Sequence, residues 1–261
     1  MAELNVVGYP NGEGQRFCLR VGGVPLKLQF PLGSLLEQAR GRYAGFCEES
    51  SSGFPVSINS EAVPAPREVR FTHNLHGASL RLTPQAAYLT GVASEQTLDS
   101  LLRILLSLLL VPRRGLLLHA ATIVRNQRAN VFMGRSGAGK STLARLAPPG
   151  SVLTDEVSLL RRGEIGWHAY ATPFWGEFRA AGSNRRAPLA GIYVLVQGRE
   201  NRREKLSPKQ KLPVLLGNVL FFAQGKSDRD QLLALLLELI QAVPLDRLQF
   251  QPEPAFWEVV A

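Results

Sequence analysis

The spacing of apolar and polar residues first follows the pattern of a small β-sheet. From Arg16 to about Val92, short runs rich in β-branched and aromatic residues alternate with clusters of Gly, Pro and Ser, which is typical of a mainly antiparallel sheet. The runs are FCLRV, VPLKLQF, FPVSIN, EVRFTHN, ASLRLT and AAYLTGV. One short helix is predicted at residues 35–43. Residues 1–95 are therefore expected to form a small, β-rich N-terminal domain.

A strongly apolar segment follows, from Gln96 to Val111. A membrane-spanning helix needs about twenty apolar residues, whereas this segment is shorter and carries Asp99 and Arg103 four positions apart. Such a pair can interact on one face of a helix. We predict a buried or connecting helix over residues 96–112, which Pro112 ends.

After Pro112 the pattern becomes that of an α/β domain. The runs GLLLHAATIV, NVFM, GRSGAGKS, TLARLA and SVLT occur in this order and predict a strand, a second strand, a glycine-rich loop, a helix and a third strand. Further strands are predicted at residues 164–171 and 190–196, helices at 208–222 and 229–242, and a last strand at 245–249. The predicted fold class is thus α/β for residues 113–261, preceded by the small mainly-β domain.

The loop between NVFM and TLARLA has the pattern G-x-x-x-x-G-K-[ST]. Small residues let successive backbone N–H groups converge on phosphate oxygens, and the N-terminus of the following helix adds partial positive charge. The pattern predicts a phosphate-binding loop for ATP, in which Lys140 reaches the β- and γ-phosphates and Ser141 binds Mg²⁺. The residues predicted to contact the nucleotide are Gly134, Arg135, Ser136, Gly137, Ala138, Gly139, Lys140, Ser141 and Thr142.

Two acidic residues follow the next strand. The helix after the loop must stop before Pro148-Pro149, so it spans only about two turns, and the run SVLT then ends in Asp155 and Glu156. We expect this strand to neighbour the loop strand, with both carboxylates at the edge of the sheet where ligands bind. Asp155 is then a metal ligand together with Ser141, and one carboxylate can accept a proton from an attacking hydroxyl. The alternative is a solvated acidic turn.

Each of three other sequence features has two possible roles, one structural and one functional. A lone histidine on an apolar strand, such as His119, is either a satisfied core or edge group or a catalytic residue. The run TPFWGE, from Thr172 to Glu177, is either a turn that packs two aromatic side chains or a loop that contacts the substrate or nucleotide. Arg185 and Arg186 are either surface residues or groups that stabilise a transferred phosphoryl group.

Composition narrows the cellular setting and the class of partner. The 261 residues include only Cys18 and Cys47 as cysteines, which fits a reducing compartment. The first fourteen residues lack the basic and then apolar progression of a secretory signal, so we expect a cytoplasmic protein. The net charge of +9 suits an anionic partner. The arginines are scattered in pairs without interleaved aromatic residues, so nucleic acid is not the favoured partner.

Three of these runs carry a resemblance to a known family. GLLLHAATIV, MGRSGAGKST and VLTDE, in this order and at this close spacing, resemble the catalytic domain of bacterial HPr kinase/phosphorylase and its shorter relatives, which are structurally akin to phosphoenolpyruvate carboxykinase. PLAGIYVLVQG, at residues 188–198, looks like a further strand of the shorter relatives, which are sometimes encoded in peptide-modification cassettes. The resemblance covers residues 113–261.

The resemblance implies phosphoryl transfer from ATP to a serine hydroxyl. Lys140 and Ser141 match the family's loop pair, His119 matches its strand histidine, and Asp155 matches the first residue of its Asp-Asp pair. Glu156 departs from the second aspartate and displaces the carboxylate by about a methylene group, which can slow a reaction by orders of magnitude. The downstream signature of true HPr kinases, rich in arginine and glycine, is absent, so the resemblance does not imply HPr as the acceptor.

Three functions remain open from the sequence. The first is an ATP-dependent kinase for a serine of a protein or ribosomal peptide, with Asp155, His119, Glu156 and Lys140 as catalytic residues. The second is a nucleotide-binding accessory or regulatory protein without efficient chemistry, which Glu156 and the missing signature favour. The third is a small-molecule kinase of the same fold. Carboxykinase activity is least favoured, because the chain is short and has no recognisable oxaloacetate site. The acceptor, the choice between ATP and GTP and the oligomeric state stay undetermined.

Overall fold

A computed structural model describes residues 15–31, 34–49, 52–59, 69, 71–176 and 182–260. The chain has a mixed α/β fold with two sheets and divides into two compact units, Met1–Leu105 and Leu106–Ala261. The division falls inside the helix that the sequence predicts between two domains. Residues 1–14, which lack the sequence pattern of a secretory signal, lie outside the described residues.

The first unit is built on a seven-stranded sheet with the order β3-β1-β2-β4-β7-β6-β5. Four strand pairs are antiparallel, whereas β4 runs parallel to both β2 and β7, so the sheet is mainly antiparallel as predicted. The strands are β1 (Gln15–Val21), β2 (Val24–Phe30), β3 (Cys47–Glu48), β4 (Phe54–Ile58), β5 (Phe71–Leu75), β6 (Ala78–Leu82) and β7 (Ala87–Thr90). The predicted strand EVRFTHN begins at Glu68, which is outside the described residues.

Two helices complete this part of the chain. Helix α1 (Ser34–Tyr43) confirms the helix predicted at residues 35–43, and α2 (Glu95–Leu110) confirms the apolar helix. A 3₁₀ turn that contains Pro112 follows α2, since proline cannot continue the hydrogen-bond pattern of an α-helix. Among the described residues, no helix combines the length and the apolar content that crossing a membrane requires.

A buried carboxylate joins the two helices. Asp99 is only 3% exposed. Its carboxylate accepts hydrogen bonds from the Tyr43 hydroxyl at 2.6 Å and from the Arg42 guanidinium. The Arg103 guanidinium lies 3.9 Å from the same carboxylate. Burial, and then the Asp99 charge, raises the pKa of the Tyr43 hydroxyl well above its ordinary value, so this hydroxyl stays a hydrogen-bond donor.

Within the described residues, the second unit contains a nine-stranded sheet, the end of α2 and three further α-helices. Its strands are β8 (Gly115–Arg125), β9 (Arg128–Met133), β10 (Val152–Thr154), β11 (Val157–Gly163), β12 (Gly166–Tyr170), β13 (Arg186–Gln197), β14 (Arg202–Lys205), β15 (Val219–Leu220) and β16 (Leu245–Phe250). Its helices are α3 (Lys140–Leu146), α4 (Pro208–Leu216) and α5 (Lys226–Ala242).

Five of these strands close into a ring. Strand β8 pairs with β11, β11 with β12, β12 with β13, β13 with β9, and β9 again with β8. Ile123, Phe132 and Tyr193 share one buried cluster with residues of α3, so this face of the strands points out of the ring. Because side chains alternate along a strand, the buried Thr122, next to Ile123 on β8, points into the ring. The buried Ser158 of β11 contacts the Thr122 hydroxyl there.

The structure differs from the prediction at three places in this unit. The strand predicted at residues 164–171 is β12, which is shorter, and Glu164 lies in the turn that joins it to β11, a strand that was not predicted. The helix predicted at 208–222 ends at Leu216 because the chain turns at Gly217 and β15 then pairs with β8. Strand β14 was not predicted, since its sequence RREK is wholly charged, as is common on the edge of a sheet.

Candidate functional site

The glycine loop, residues 134–139, connects β9 to α3. Gly137 and Gly139 have φ angles of +76° and +106°, a region that side chains with a Cβ rarely adopt. A Cβ at Gly134 would lie 2.9 Å from the Cβ of Ala138 and 3.4 Å from the Leu195 carbonyl oxygen. The glycines of the motif are therefore required by backbone angles and by close packing, independently of any ligand.

An aromatic cluster supports the loop from below. Phe132, Phe250, Phe256 and Trp257 are buried together, and Phe132 stacks on Tyr193 with ring centroids 5.5 Å apart. The Phe250 ring lies directly under Gly139, where an added Cβ would come within 2.5 Å of its Cζ. Above this cluster, the Gln197 side-chain amide donates a 2.9 Å hydrogen bond to the Gly137 carbonyl. The loop is thus held from two neighbouring strands.

Lys140 opens helix α3 and folds back over the loop. Its Nζ donates hydrogen bonds to the carbonyl oxygens of Gly134 at 2.8 Å and Arg135 at 3.3 Å. Burial lowers the pKa of the Lys140 ammonium from its ordinary value, and the Glu156 carboxylate acts in the opposite direction. A positively charged group that is only 9% exposed therefore lies beside the loop, near an acidic residue.

Asp155 and Glu156 form the turn between β10 and β11. The Ala120 N–H donates to the Glu156 carbonyl at 3.0 Å, which ties the backbone of this acidic turn to β8. The Gly176 N–H donates to Asp155 Oδ1 at 3.0 Å, and Asp155 is only 4% exposed. Its carboxylate is therefore oriented by a backbone group that comes from twenty-one positions further along the chain.

Buried hydroxyl groups fix the backbone behind the acidic turn. The Val157 carbonyl accepts hydrogen bonds from the hydroxyls of Thr154 at 3.0 Å and Thr172 at 2.7 Å. The Ser158 hydroxyl donates to the Ala120 carbonyl at 2.9 Å and contacts the Thr122 hydroxyl at 2.6 Å. Because unpaired polar groups are costly inside a protein, this network specifies one arrangement of β8, β10 and β11.

The position of the acidic turn corrects one prediction. Strand β10 pairs with β8 and not with the loop strand β9, whose neighbours are β8 and β13. Since β9 and β10 are each antiparallel to β8, they run in the same direction and end at the same edge of the sheet. The prediction of the edge was therefore correct, although the neighbouring strand was wrong.

His119 lies on β8, between the loop strand and the acidic turn. It is paired with Val157, the residue that follows Glu156, and its backbone N–H donates to the Asn218 carbonyl at 2.7 Å. Its side chain is partly exposed. Residues 119, 121 and 123 lie on the outer face of the ring, so the histidine shares this face with Ile123 and the helix α3.

The predicted residues meet in one cleft of about 860 Å³. The cleft is lined by the loop, the start of α3, the histidine and the acidic turn. The lining residues that the sequence predicts are His119, Ser136, Gly137, Gly139, Lys140, Ser141, Thr142, Asp155 and Glu156. Among the described residues, Gly134, Arg135 and Ala138 do not line the cleft and instead support the loop.

Sequence reasoning missed Arg145 as a lining residue and left Gly176 within an ambiguous run. Arg145 is exposed on α3, one helical turn after Ser141, and this spacing places both side chains on one face of the helix. In the run TPFWGE, Thr172 and Phe174 are buried, whereas Gly176 reaches the cleft. The run therefore both packs and contacts the site; its last residue, Glu177, lies outside the described residues.

The two adjacent arginines have other surroundings. Arg185 donates to the carbonyl oxygens of Gly150 at 2.9 Å and Val152 at 3.5 Å, so it connects the start of β13 to β10. Arg186 is exposed and its guanidinium lies 3.4 Å from the Tyr170 hydroxyl. Neither belongs to the described lining of the cleft.

The side chains in the cleft suit an anion and a hard cation. Loop N–H groups, Lys140 and Arg145 offer donors, while Ser141 and Asp155 offer oxygen ligands. Among the described residues, no group of three or more His, Cys, Asp or Glu side chains is placed to hold a metal ion. Mg²⁺ typically takes one or two protein ligands and completes its shell with phosphate oxygens and water, so the pair Ser141 and Asp155 fits this ion.

Comparison with known proteins gives a family for a region that includes the whole second unit. Comparison with curated proteins finds no match. The family model described as SynChlorMet cassette protein ScmC matches residues 96–261, which is more than half of the 261 residues and includes the whole cleft. The chain therefore belongs to the family of SynChlorMet cassette protein ScmC.

Proposed function

We propose that the chain is an ATP-dependent kinase that transfers the γ-phosphoryl group to a serine hydroxyl of a protein or peptide. The observation that carries the proposal is the cleft in which Lys140, Ser141, His119 and the acidic turn converge. Phosphoryl transfer depends on positioning and on neutralising the negative charge of the phosphates. The cleft provides both cations and carboxylates for these tasks. The second unit would then be a phosphate-binding-loop kinase domain of the HPr kinase type.

Each residue of the cleft has a role in this proposal. The backbone N–H groups of the loop bind the phosphates, and the Lys140 ammonium exchanges its two carbonyl partners for β- and γ-phosphate oxygens. Ser141 and Asp155 would hold Mg²⁺, which neutralises phosphate charge. Arg145 and His119 line the same cleft and are suited to contact the transferred group.

The chemical step needs one base and one leaving group. The serine Oγ attacks the γ-phosphorus, the bond from this phosphorus to the β,γ-bridging oxygen breaks, and ADP leaves with that electron pair. The serine proton passes to a carboxylate of the acidic turn. Asp155 is favoured, because the Gly176 N–H orients its carboxylate, and holding Mg²⁺ through a metal-bound water would leave this carboxylate able to accept the proton.

The acceptor is sought among the products of neighbouring genes. The matching family is described as a cassette protein, and proteins of one gene cassette commonly act on each other's products. A serine in a small protein or ribosomal peptide of the same cassette is therefore the first candidate. We place the reaction in the cytoplasm, where ATP is available and where Cys18 and Cys47, neither of which is in a disulfide, would stay reduced.

Two measurements test the proposal. Calorimetry should detect binding of Mg·ATP to the full chain and its loss in Lys140→Ala. Transfer of a γ-labelled phosphate to peptides from adjacent genes should fall about 100-fold or more in Asp155→Asn, because a general base contributes at least this factor. The exposed Asp230→Asn is the matched control. The proposal fails if the wild-type chain and Lys140→Ala both ignore Mg·ATP and Mg·GTP.

A second candidate is a nucleotide-binding accessory protein that transfers phosphate slowly or not at all. Glu156 favours it, because the longer side chain moves one carboxylate of the turn by about a methylene group. Tight binding of Mg·ATP without transfer to any peptide would support this candidate. Transfer to members of a metabolite panel, but to no peptide, would support a small-molecule kinase instead.

A further inference from the structure

A second cleft, of about 1110 Å³, lies beside the turn that joins β11 to β12. We call it the arginine cleft, because its lining includes Arg114, Arg128, Arg161, Arg162 and Arg186. Glu164 is the one acidic residue among the described residues that line it. None of its lining residues belongs to the cleft at the glycine loop, so it is a separate site.

The arginines of this cleft are unequally neutralised. Arg114 and Arg162 both donate to the Glu238 carboxylate, at 2.8 Å and 3.0 Å. Arg128 and Arg186 have only long contacts to neutral oxygens, 3.5 Å to the Leu189 carbonyl and 3.4 Å to the Tyr170 hydroxyl. In the described part of the chain, no carboxylate pairs with either of these two. Both are exposed, so the cleft keeps positive charge that faces solvent.

A buried donor on the wall of the cleft also lacks a partner. Trp167 is only 4% exposed, and its indole Nε1 has no hydrogen-bond partner in the part of the chain that the structure describes. A buried polar group without a partner is uncommon and calls for a ligand or water. The indole N–H is a donor, so the missing partner is a hydrogen-bond acceptor.

Strand register relates the arginine cleft to His119. His119 pairs with Val157, Leu159 pairs with Tyr170, and Tyr170 pairs with Arg186. Cross-strand partners share a face, and so do residues two apart on one strand, so Arg186 lies on the face that carries His119. His119 and Arg186 are thus separated by three strand spacings and by two residues along β11. At about 4.8 Å per spacing and 3.3 Å per residue, the diagonal between them along the sheet is roughly 16 Å.

We propose that the arginine cleft docks an acidic segment of the peptide acceptor, about five residues from the serine that enters the glycine-loop cleft. The spacing follows from the distance above, because an extended peptide covers about 3.3 Å per residue. Carboxylates are planar acceptors that guanidinium groups bind in two-point contacts. The identity of the peptide as the acceptor rests on the proposed kinase function, whereas the docking of an acidic segment does not.

A peptide fits this cleft better than nucleic acid does. Binding of a nucleic acid draws its affinity from many phosphate contacts, commonly six to ten. Within the described residues, only Arg128 and Arg186 of this cleft have just long contacts to neutral oxygens. Glu164 and Glu238 on the rim would also repel a continuous row of phosphates. A few side-chain carboxylates can avoid these two residues.

Docking is tested without nucleotide, so that its outcome does not depend on kinase activity. Fluorescence anisotropy of fluorescein-labelled hexaglutamate is measured with the full chain, with Arg128→Ala/Arg186→Ala and with the control Arg229→Ala, which removes one exposed arginine of α5. We expect affinity at least about tenfold lower in the double variant, since each charge-assisted contact contributes on the order of a factor of ten. The control should change by less than twofold.

Single variants and a competing ligand make the test decisive. Arg128→Gln and Arg186→Gln should each weaken hexaglutamate binding several-fold, at an unchanged thermal unfolding midpoint. Equal binding by all variants would overturn the proposal, and so would binding of labelled oligothymidylate that is tighter than that of hexaglutamate and depends on the same two arginines. With an active kinase, moving the acidic residues of a substrate from five to ten positions from the serine should raise KM and leave kcat unchanged.

Discussion

Replacing Gly139 by alanine should destabilise the second unit for two separable reasons. With φ at +106°, a residue that carries a Cβ is strained by about 1–2 kcal/mol. The new Cβ would also lie 2.5 Å from Cζ and 3.1 Å from Cε1 of Phe250, and overpacking of this kind costs about 1–3 kcal/mol. The expected loss in the free energy of unfolding is therefore about 2–5 kcal/mol.

Gly137→Ala is a matched control within the same loop. Gly137 also has a positive φ, +76°, but an added Cβ would meet no atom within 4 Å. Only the backbone contribution of about 1–2 kcal/mol is expected there. The difference between the two variants measures the contact with Phe250, because they share the substitution and the type of backbone strain.

Tryptophan fluorescence during denaturant unfolding is a suitable assay. Trp167, Trp175 and Trp257 are the three tryptophans of the chain, and all belong to the second unit, so the signal reports the unit that contains the loop. Phe250→Leu should relieve part of the Gly139→Ala defect, which makes the double variant more stable than the sum of the single changes predicts. Equal losses for both alanine variants, or strict additivity with Phe250→Leu, would refute the role of the ring.

Two further predictions concern charged groups. Because burial lowers the pKa of Lys140 and a bound triphosphate would favour its charged form, the proposed affinity for Mg·ATP should be highest below that lowered pKa and fall as the pH rises through it. Glu156→Gln, which removes the carboxylate that raises this pKa, should move the decline in calorimetric titrations to lower pH; an unchanged profile would contradict the coupling. Asp99→Asn should reduce the free energy of unfolding by about 3–5 kcal/mol, because it leaves Arg42 without its buried partner. Glu48→Gln, in the more exposed pair with Arg20, should cost less than about 1 kcal/mol by circular dichroism, and a similar loss for both variants would argue against the buried network.

The local part of the site could be predicted from the sequence. The glycine loop is contiguous, and its glycines are required by positive φ angles and close packing that the motif encodes directly. The acidic turn was predicted from the end of a strand, and the structure brings Asp155 into the same cleft as Lys140. Arg145 was within reach of the same reasoning, because it follows Ser141 by one helical turn.

The remainder depends on contacts between distant parts of the chain. Gly176 reaches Asp155 only after the chain has made the β11–β12 hairpin, and no local pattern indicates that return. Strand β11 was missed because Val157 to Leu160 are all buried, so the run has no alternation of apolar and polar residues. The closure of five strands into a ring is a property of pairing between elements, which periodicity within an element does not encode.

The acidic turn is anchored by main-chain atoms. The Glu156 carbonyl accepts a hydrogen bond from β8, and the Val157 carbonyl accepts hydrogen bonds from two threonine hydroxyls. Nothing in this anchoring requires a particular side chain at position 156. Evolution can therefore exchange glutamate and aspartate there, by a single nucleotide substitution, without disturbing folding. Residue 156 can therefore change while the scaffold persists, so sequence divergence at this turn is a poor guide to structural divergence.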